Sequence, residues 1–199
     1  MQLPTTSRRS ARPLPALGGL LTILAAAALA PAGAAQAATR DLGTAADGAY
    51  CASTGGVPSM MRAWANTNDF NSKAWVPYGG KVHACTYTAP DTSQITLWEG
   101  TLQSPVATMA ALAYYAEVPP QGGGGGNPSL GYCVQLGGAW QIGNGLDGGG
   151  WATGRGERVY SMCVFADGSA IDAWGLFYHS ANIVRGVDLA TVLKFPDPY

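Results

Sequence analysis

Two segments of the chain are predicted to be β-strands, in which Cys85 shares a face with Tyr87 and Cys163 with Phe165. They cover residues 81–88 and 158–165. Because side chains on a strand point alternately to opposite faces, each segment would present one apolar face to a core. A turn-forming tetrapeptide follows each segment, at residues 89–92 and 166–169. The pattern predicts two antiparallel β-meanders.

A second apolar run closes each meander, over residues 93–99 and from 170 to about 178. We expect both runs to be strands, because each follows a tight turn. Each run contains one tryptophan, Trp98 or Trp174. These two rings are predicted to be core residues at equivalent positions.

A short helix is predicted before each meander. Asn127-Pro128 is a favourable start, because Asn caps a helix N-terminus and Pro suits the first turn. Gly137-Gly138 is a favourable stop, since glycine readily adopts the left-handed conformation that ends a helix. The first meander has a weaker start at residues 44–47 and the same stop at Gly55-Gly56. The predicted fold class is therefore α+β.

One further helix is predicted after the first meander. Ser104-Pro105 is typical of a helix start, and no Gly or Pro interrupts residues 106–117. Apolar residues recur there at helical spacing, and no basic face accompanies them. The pattern favours a helix packed on the sheet over one that binds membranes. A shorter counterpart is predicted over residues 188–194.

The motif Tyr-Cys-x-x-x-Gly-Gly occurs twice, at residues 50–56 and 132–138. In both places a second cysteine, a turn and a tryptophan follow in the same order. Chance reuse of a short motif would also have to explain that common order, so we interpret the chain as a tandem duplication. Unit 1 covers residues 38–118 and includes the extra helix. A Pro/Gly linker covers 119–126, and unit 2 covers 127–199.

The N-terminus has the features of a secretory signal peptide. Three arginines precede an apolar run over residues 20–30, and Ala35-Gln36-Ala37 supplies the small residues of a cleavage site. The run is too short to span a bilayer, and no cysteine before Cys51 offers a lipid anchor. We expect residues 1–37 to be removed and the rest to be secreted without a membrane anchor.

Composition narrows the class of partner. Only 12% of the residues are charged and 47% are hydrophobic, with 28 Gly, which is typical of a packed, loop-rich domain. Loss of the three N-terminal arginines leaves eight basic residues against 12 acidic ones, a net charge of about −4. That sign opposes binding to nucleic acid or to anionic lipid.

All four cysteines lie in the part predicted to be exported, where an even number is typical of disulfides. Three connectivities are open, and the repeat favours pairing within units, Cys51–Cys85 and Cys133–Cys163. Each unit would then be a short helix plus a meander held by one bridge, worth roughly 3–4 kcal/mol. Widely spaced cysteines do not form a zinc motif, so we expect no metal and no cofactor.

Candidate catalytic residues are few. His83 and His179 are the two histidines of the chain. His179 adjoins Ser180, but neighbours on a strand point to opposite faces, so no nucleophile and base are predicted together. The glycine-rich residues 143–156 lack the lysine of a phosphate-binding loop. We expect a protein that is not an enzyme.

The long loops before the second cysteine of each unit carry several aromatic residues. Exposed rings on loops suit a sugar or a protein partner, whereas small disulfide-linked domains also bury tryptophans in their cores. Both interpretations stay open. The candidate ligand-binding residues are Trp64, Phe70, Trp75, Tyr78 and Trp151.

Unit 2 contains an ordered set of motifs, namely Asn127-Pro128, Tyr132-Cys133, Gly137-Gly138, residues 163–169 and Asp172-Ala173-Trp174. Over residues 127–181 this set resembles a bacterial family of exported, cysteine-containing domains of unknown function, described as hemolysins. Unit 1 would be a diverged second copy at about 44–104. Two further cysteines common in the family correspond to Ile171 and Ala181 here, so the resemblance implies that Cys133 pairs with Cys163. It implies no catalytic residue.

These observations favour a secreted, non-catalytic module of unknown molecular role, a binding or cell-envelope accessory protein. Its partner would be a polysaccharide, the cell wall or another protein. The alternative is a secreted effector, either an enzyme inhibitor or a hemolysin-like membrane-active factor. A binding protein would be retained by its target, whereas an effector would inhibit or lyse.

Overall fold

In a computed structural model, the described residues are 48–68, 71–121, 126–140 and 148–199. The predicted signal peptide, the weak helix start at 44–47, part of the linker and the candidate residue Phe70 lie outside them. The elements in chain order are α1 (Ala49–Ser53), β1 (Val57–Ala65), β2 (Val76–Thr88), β3 (Gln94–Trp98), α2 (Glu99–Gln103), α3 (Met109–Tyr115), α4 (Pro128–Gln135), β4 (Gly149–Ala152), β5 (Met162–Val164), β6 (Ala170–Asp172) and α5 (Ala173–His179), with 3-10 turns at Ser72–Ala74 and Leu189–Thr191.

The described strands form one six-stranded antiparallel sheet in the order β4-β1-β2-β3-β6-β5. The first half of the chain supplies β1–β3 and the second half supplies β4–β6, so both halves share one sheet. The sheet curls until its edges meet. Trp151 of β4 and Tyr160, two residues before β5, exchange backbone hydrogen bonds of 3.0 and 2.7 Å. The fold is therefore α+β, as the sequence predicts.

Apolar side chains cover both faces of the curled sheet, because the strands alternate in the direction of their side chains. The helices pack on the outer face, and the strands themselves enclose the inner face. Burial of nonpolar surface on both faces is the main source of stability for such a fold. The outer core includes Tyr87, Ile95, Leu97, Tyr114, Ile171 and Leu176, and the inner core includes Met61, Ala84, Trp98, Met162 and Ala170.

Two disulfides fasten a helix to a strand, one in each half. Cys51 of α1 bonds to Cys85 of β2, and Cys133 of α4 bonds to Cys163 of β5, with Cα–Cα distances of 5.7 and 5.5 Å. Both predicted pairings are confirmed. A bridge that closes a loop of about 30 residues stabilises the fold by removing conformations from the unfolded chain.

The two Gly-Gly pairs have the same double function. The first glycine of each, Gly55 or Gly137, has a positive φ, of 88° and 83°, which ends the preceding helix. The second glycine lies against the disulfide. A Cβ on Gly56 or Gly138 would lie 2.3 Å from the bonded sulfur of the strand cysteine. Only a residue without a side chain fits there.

Strand pairing relates the two halves residue by residue. Cys85 pairs with Leu97 across β2 and β3, and Cys163 pairs with Ile171 across β5 and β6. Leu97 and Ile171 then pair with each other in antiparallel orientation. Leu97 and Ile171 are corresponding residues of the two halves, so the halves join at equivalent positions. Because β3 and β6 are antiparallel, the two strands run in opposite directions where the halves meet.

The predicted closing strands are too long, which is a correction to the sequence interpretation. Strand β6 ends at Asp172, whose carboxylate accepts a hydrogen bond of 3.1 Å from the N–H of Trp174 and so caps helix α5. The apolar residues after it are helical. Trp98 and Trp174 are not equivalent either. Trp98 ends a strand with 3% of its surface exposed, whereas Trp174 is a partly exposed helical residue.

The extra helix begins later than predicted. The side chain of Thr108 caps α3 by accepting a hydrogen bond of 3.2 Å from the N–H of Ala111. The hydroxyl of Ser104, the predicted cap, instead donates to the carbonyl of Val106 at 2.7 Å. The helix therefore begins at Met109, directly after the threonine whose hydroxyl caps it.

Helix α4 begins as predicted, because Asn127 accepts a hydrogen bond of 3.0 Å from Ser129 and Pro128 occupies the first turn. Within the described residues after α4, Ala139 forms an isolated antiparallel bridge with Val164. The strand predicted over 158–165 narrows to β5, and the helix predicted over 188–194 narrows to a single 3-10 turn.

Candidate functional site

Two of the predicted binding tryptophans are buried. Trp64 and Trp75 have 8% and 6% of their surface exposed, and their ring centroids lie 6.1 Å apart. Ala152 and Val159 pack against them, and the guanidinium of Arg155 lies 5.6 Å from the Trp64 ring. These two rings form a small core under the loops, so their faces are not available to a ligand.

The other candidate rings are more accessible, and strand pairing places Tyr78 and Trp151 on the same face of the sheet, separated by strand β1. Tyr78 is 50% exposed on β2. Trp151 is partly exposed and packs edge to face on Trp98 of the inner core, with 4.7 Å between ring centroids. Ala63 of β1 lies between Tyr78 and Trp151, because it pairs with one on each side.

A different set of residues does converge, at the first residue of β3. The Nη1 of Arg158 donates to the side-chain oxygen of Gln94, and the Nε of Arg185 donates to its backbone carbonyl at 3.3 Å. Each guanidinium also lies over a tyrosine ring, Tyr160 or Tyr178, 4.9 Å from the centroid. We call these five residues, with Asp172 and Trp174, the Gln94 site.

Helix α5 supplies the aromatic part of the Gln94 site. Trp174 and Tyr178 are four residues apart and therefore lie on the same helix face. Their rings stack at 5.5 Å with an interplanar angle of 26°. Arg185 continues the stack on Tyr178. All three side chains are partly exposed, so the edges of the stack and its Trp174 end are the parts that can reach solvent.

Gly186 fixes the position of Arg185. Its φ is +67°, and an added Cβ would lie 2.5 Å from the carbonyl oxygen of Tyr87 and 2.8 Å from the nitrogen of Ile95. Its N–H donates to the hydroxyl of Ser93 at 3.3 Å. A residue with a side chain cannot approach the β2–β3 hairpin this closely, so glycine is required to seat the arginine.

Asp172 is the acidic member of the site, with 9% of its surface exposed. Burial raises the pKa of its carboxyl from 3.8 to about 6, although the backbone N–H of Trp174 and the charges of Arg185 and Arg158 act in the opposite direction. Neither arginine lies within ion-pair distance of a carboxylate among the described residues, where the one such pair is His179 with Glu117. The two cationic groups therefore donate hydrogen bonds to neutral oxygens of Gln94, while Asp172 attracts both of them and Asp91 attracts Arg185 without an ion-pair contact.

His179, the last residue of α5, belongs to a second polar cluster. Its Nε2 lies 3.2 Å from a carboxylate oxygen of Glu117, and its ring stacks on Tyr114 with 3.6 Å between centroids. Burial lowers the pKa of His179, against the opposing charges of Glu117 and Asp188. The neighbouring hydroxyl of Ser180 donates to the carbonyl of Phe177 at 2.7 Å. The cluster ties α3 to α5 and places no nucleophile at the histidine.

The other histidine, His83, lies in β2 and pairs with Met60 of β1. Within the residues that the structure describes, no three His, Cys, Asp or Glu side chains are grouped to hold a metal ion. No helix in that same part of the chain combines the length and apolar character needed to cross a bilayer.

The sequence pattern did not reveal the Gln94 site, because residues 170 to about 178 were interpreted as a strand. Trp174 and Tyr178 share a face only if residues 173–179 are helical. The cap signal of Asp172 before an apolar run could have revealed that helix. Nothing local could have revealed the convergence on Gln94, since Arg185 is 91 residues away along the chain.

Residues 124–180 match the family model of a domain of unknown function, DUF333. The match covers the region whose motifs predict such a domain, and it includes Arg158, Tyr160, Trp174 and Tyr178. It does not extend to residues 44–104, and its description assigns no lytic activity. Comparison with the curated proteins and with the solved structures finds no match to the chain.

Proposed function

We propose that this chain is a secreted, non-catalytic binding module that acts at the cell envelope, with the Gln94 site as its contact surface. The observation that carries the proposal is the row formed by Trp174, Tyr178 and Arg185. Tryptophan, tyrosine and arginine are the residues that contribute most to binding energy at protein surfaces. Here they are partly exposed and already ordered by stacking, so little side-chain entropy is lost on binding.

Secretion is supported by the N-terminal segment and by the disulfides. All four cysteines are paired, a state that persists outside the cytoplasm. Two disulfide-closed halves with a short helix, a meander and a shared sheet make a rigid scaffold. Rigid scaffolds commonly carry their recognition residues on connecting segments, as Arg158 and Arg185 are carried here.

We further infer that the first half is a diverged copy of the second. Matching disulfides, matching glycine contacts with those disulfides, and equivalent registers around Leu97 and Ile171 support the duplication. The Gln94 site occurs once in the described chain. It takes Gln94 from the first half and its arginines and rings from the second, so the duplication has created a surface that neither half contains alone.

The proposal is tested by retention on washed cell-envelope fractions of the producing bacterium. The purified protein should sediment with the envelope, and Trp174→Ala should abolish most of that retention while the melting temperature is nearly unchanged. Tyr199→Ala is the matched control, because Tyr199 is an exposed aromatic residue outside the site. Equal retention of all three proteins, or no retention at all, would overturn the proposal.

The same samples separate binding from effector activity. Release of haemoglobin from erythrocytes, or of dye from vesicles, by the purified protein would favour the membrane-active alternative. A binding module should produce neither.

A further inference from the structure

The two arginines of the Gln94 site determine the charge of the ligand. In the described chain neither Arg158 nor Arg185 forms an ion pair, and each donates one hydrogen bond to an uncharged oxygen of Gln94. A guanidinium has five N–H donors in one plane. Donors remain on both groups, and a planar, charged donor pair matches a carboxylate.

This local positive charge occurs in a chain whose predicted mature form is acidic. A cationic pair in such a chain is not part of a general basic surface for nucleic acid or anionic lipid, which would need many spread charges. The two arginines instead attract one negatively charged group or a regular series of such groups. A matching ligand carries separate negative charges at regular spacing.

The rings beside the arginines determine the shape of the ligand. Trp174 and Tyr178 lie nearly parallel along α5, and the Arg185 guanidinium extends the row. Tyr178 stacks on Trp174 and carries the guanidinium, so Trp174, at the end of the row, is the ring that can accept a flat unit with an apolar face and a polar rim. A pyranose ring has that character, and a pyranose that bears a carboxylate would satisfy ring and arginine together.

The backbone at the site argues against an extended peptide. Peptides that bind as an added strand need an unpaired strand edge to supply main-chain hydrogen bonds. Gln94 pairs with Thr88 on one side, and on the other its carbonyl is already bonded to Arg185. No free strand edge is therefore offered where the charged and aromatic groups converge.

We propose that the Gln94 site binds an acidic polysaccharide, with a sugar ring on Trp174 and carboxylates on Arg158 and Arg185. This inference rests on the proposed binding function and specifies its ligand class. Asp172 interacts electrostatically with both arginines, and Asp91 does so with Arg185, so their negative charges weaken the attraction for an anionic ligand. The salt dependence of binding follows from the exposure of Arg158 and the partial exposure of Arg185.

The test is isothermal titration of the purified protein with polygalacturonate, with dextran as a neutral polysaccharide and poly-glutamate as an acidic peptide. We expect binding to polygalacturonate alone, weakened by added salt. Arg158→Gln and Arg185→Gln should each weaken it about tenfold, the loss expected for one charge-assisted hydrogen-bonded contact. Arg155→Gln is the matched control, because Arg155 also lies over an aromatic ring but is outside the site.

The Asp172→Asn variant gives a second test, because loss of the charge of a residue with only a structural role would not strengthen polygalacturonate binding. Removal of its negative charge should tighten polygalacturonate binding several-fold at neutral pH. Melting curves of every variant establish that the protein is folded. Unchanged or weaker binding by a folded Asp172→Asn protein would contradict the proposed role of the arginine charges.

Three results would overturn the acidic polysaccharide as ligand. They are equal binding of dextran and polygalacturonate, stronger binding of poly-glutamate, and unchanged affinity in both arginine variants. If envelope retention still depends on Trp174 in those cases, the proposed binding function stands and only its ligand class is wrong. Absence of retention on the envelope refutes the binding function itself.

Discussion

Replacement of Asp172 by Asn should stabilise the protein at neutral pH and leave it unchanged at pH 4. Asn keeps an oxygen that can accept the hydrogen bond from the N–H of Trp174, so the cap of α5 is preserved. What the substitution removes is a negative charge in a buried position. The pH dependence of stability therefore isolates the free-energy cost of that charge.

The size and sign of the effect follow from the pKa. Burial raises the pKa of Asp172 from 3.8 to about 6, so between these values the folded protein holds its proton more tightly than the unfolded chain. The free energy of unfolding of the native protein thus falls as pH rises from 3.8 to 6. At about 1.4 kcal/mol per pKa unit, the cost above pH 6 is about 3 kcal/mol. Asp172→Asn should recover it as a melting temperature roughly 6–12 °C higher.

Urea unfolding of the native and variant proteins at pH 4.0, 5.0 and 7.5 measures the difference directly. The matched control is Asp91→Asn. Asp91 is exposed, and hydrogen bonds from the side chain and backbone of Ser93 lower its pKa, so that variant should be slightly less stable at neutral pH. If Asp172→Asn is no more stable than the native protein at pH 7.5, the attraction of Arg158 and Arg185 outweighs the cost of burial, and the raised pKa of Asp172 is refuted.

Three further variants test the fold. Gly138→Ala should expose titratable thiols or lower the melting temperature sharply, because a Cβ would overlap a disulfide sulfur. Gly80→Ala is the control, because a Cβ there meets open space, and it should do neither. If the two variants behave alike, the close contact between Gly138 and the disulfide is refuted. Trp75→Ala should cost roughly 3–5 kcal/mol of stability, and a negligible change would restore it as a binding candidate. His179→Gln should remove a loss of stability as pH falls below 6.5, since burial lowers its pKa; an unchanged pH profile would contradict this.

The sequence-based prediction succeeded where a local signal is specific. Asn127-Pro128 and Gly137-Gly138 delimit α4, because capping and left-handed stops depend on residues close together in the chain. The disulfides were predictable for a related reason. The repeated order of Cys, Gly-Gly and Cys was sufficient to predict the disulfide pairing, and no information about the sheet was needed.

The prediction failed where tertiary packing decides between alternatives. An apolar run such as residues 173–178 has no period that separates a buried strand from a buried helix. The joining of both halves in one curled sheet depends on the contacts of Leu97 with Ile171 and of β1 with β4. The Gln94 site depends on the same long-range contacts, so its residues could be identified only after the two halves were placed side by side.

Each disulfide lies entirely within one half, and the chain has no other cysteine. A protease that cuts near the glycines between Gln121 and Asn127 would therefore leave two covalently closed fragments, held together by strand pairing and apolar packing alone. Denaturant without reductant should separate them, and dilution should let them reassemble, because each fragment keeps its own bridge. The two halves could then be expressed as separate chains that form the Gln94 site only when they meet, a natural basis for a split reporter.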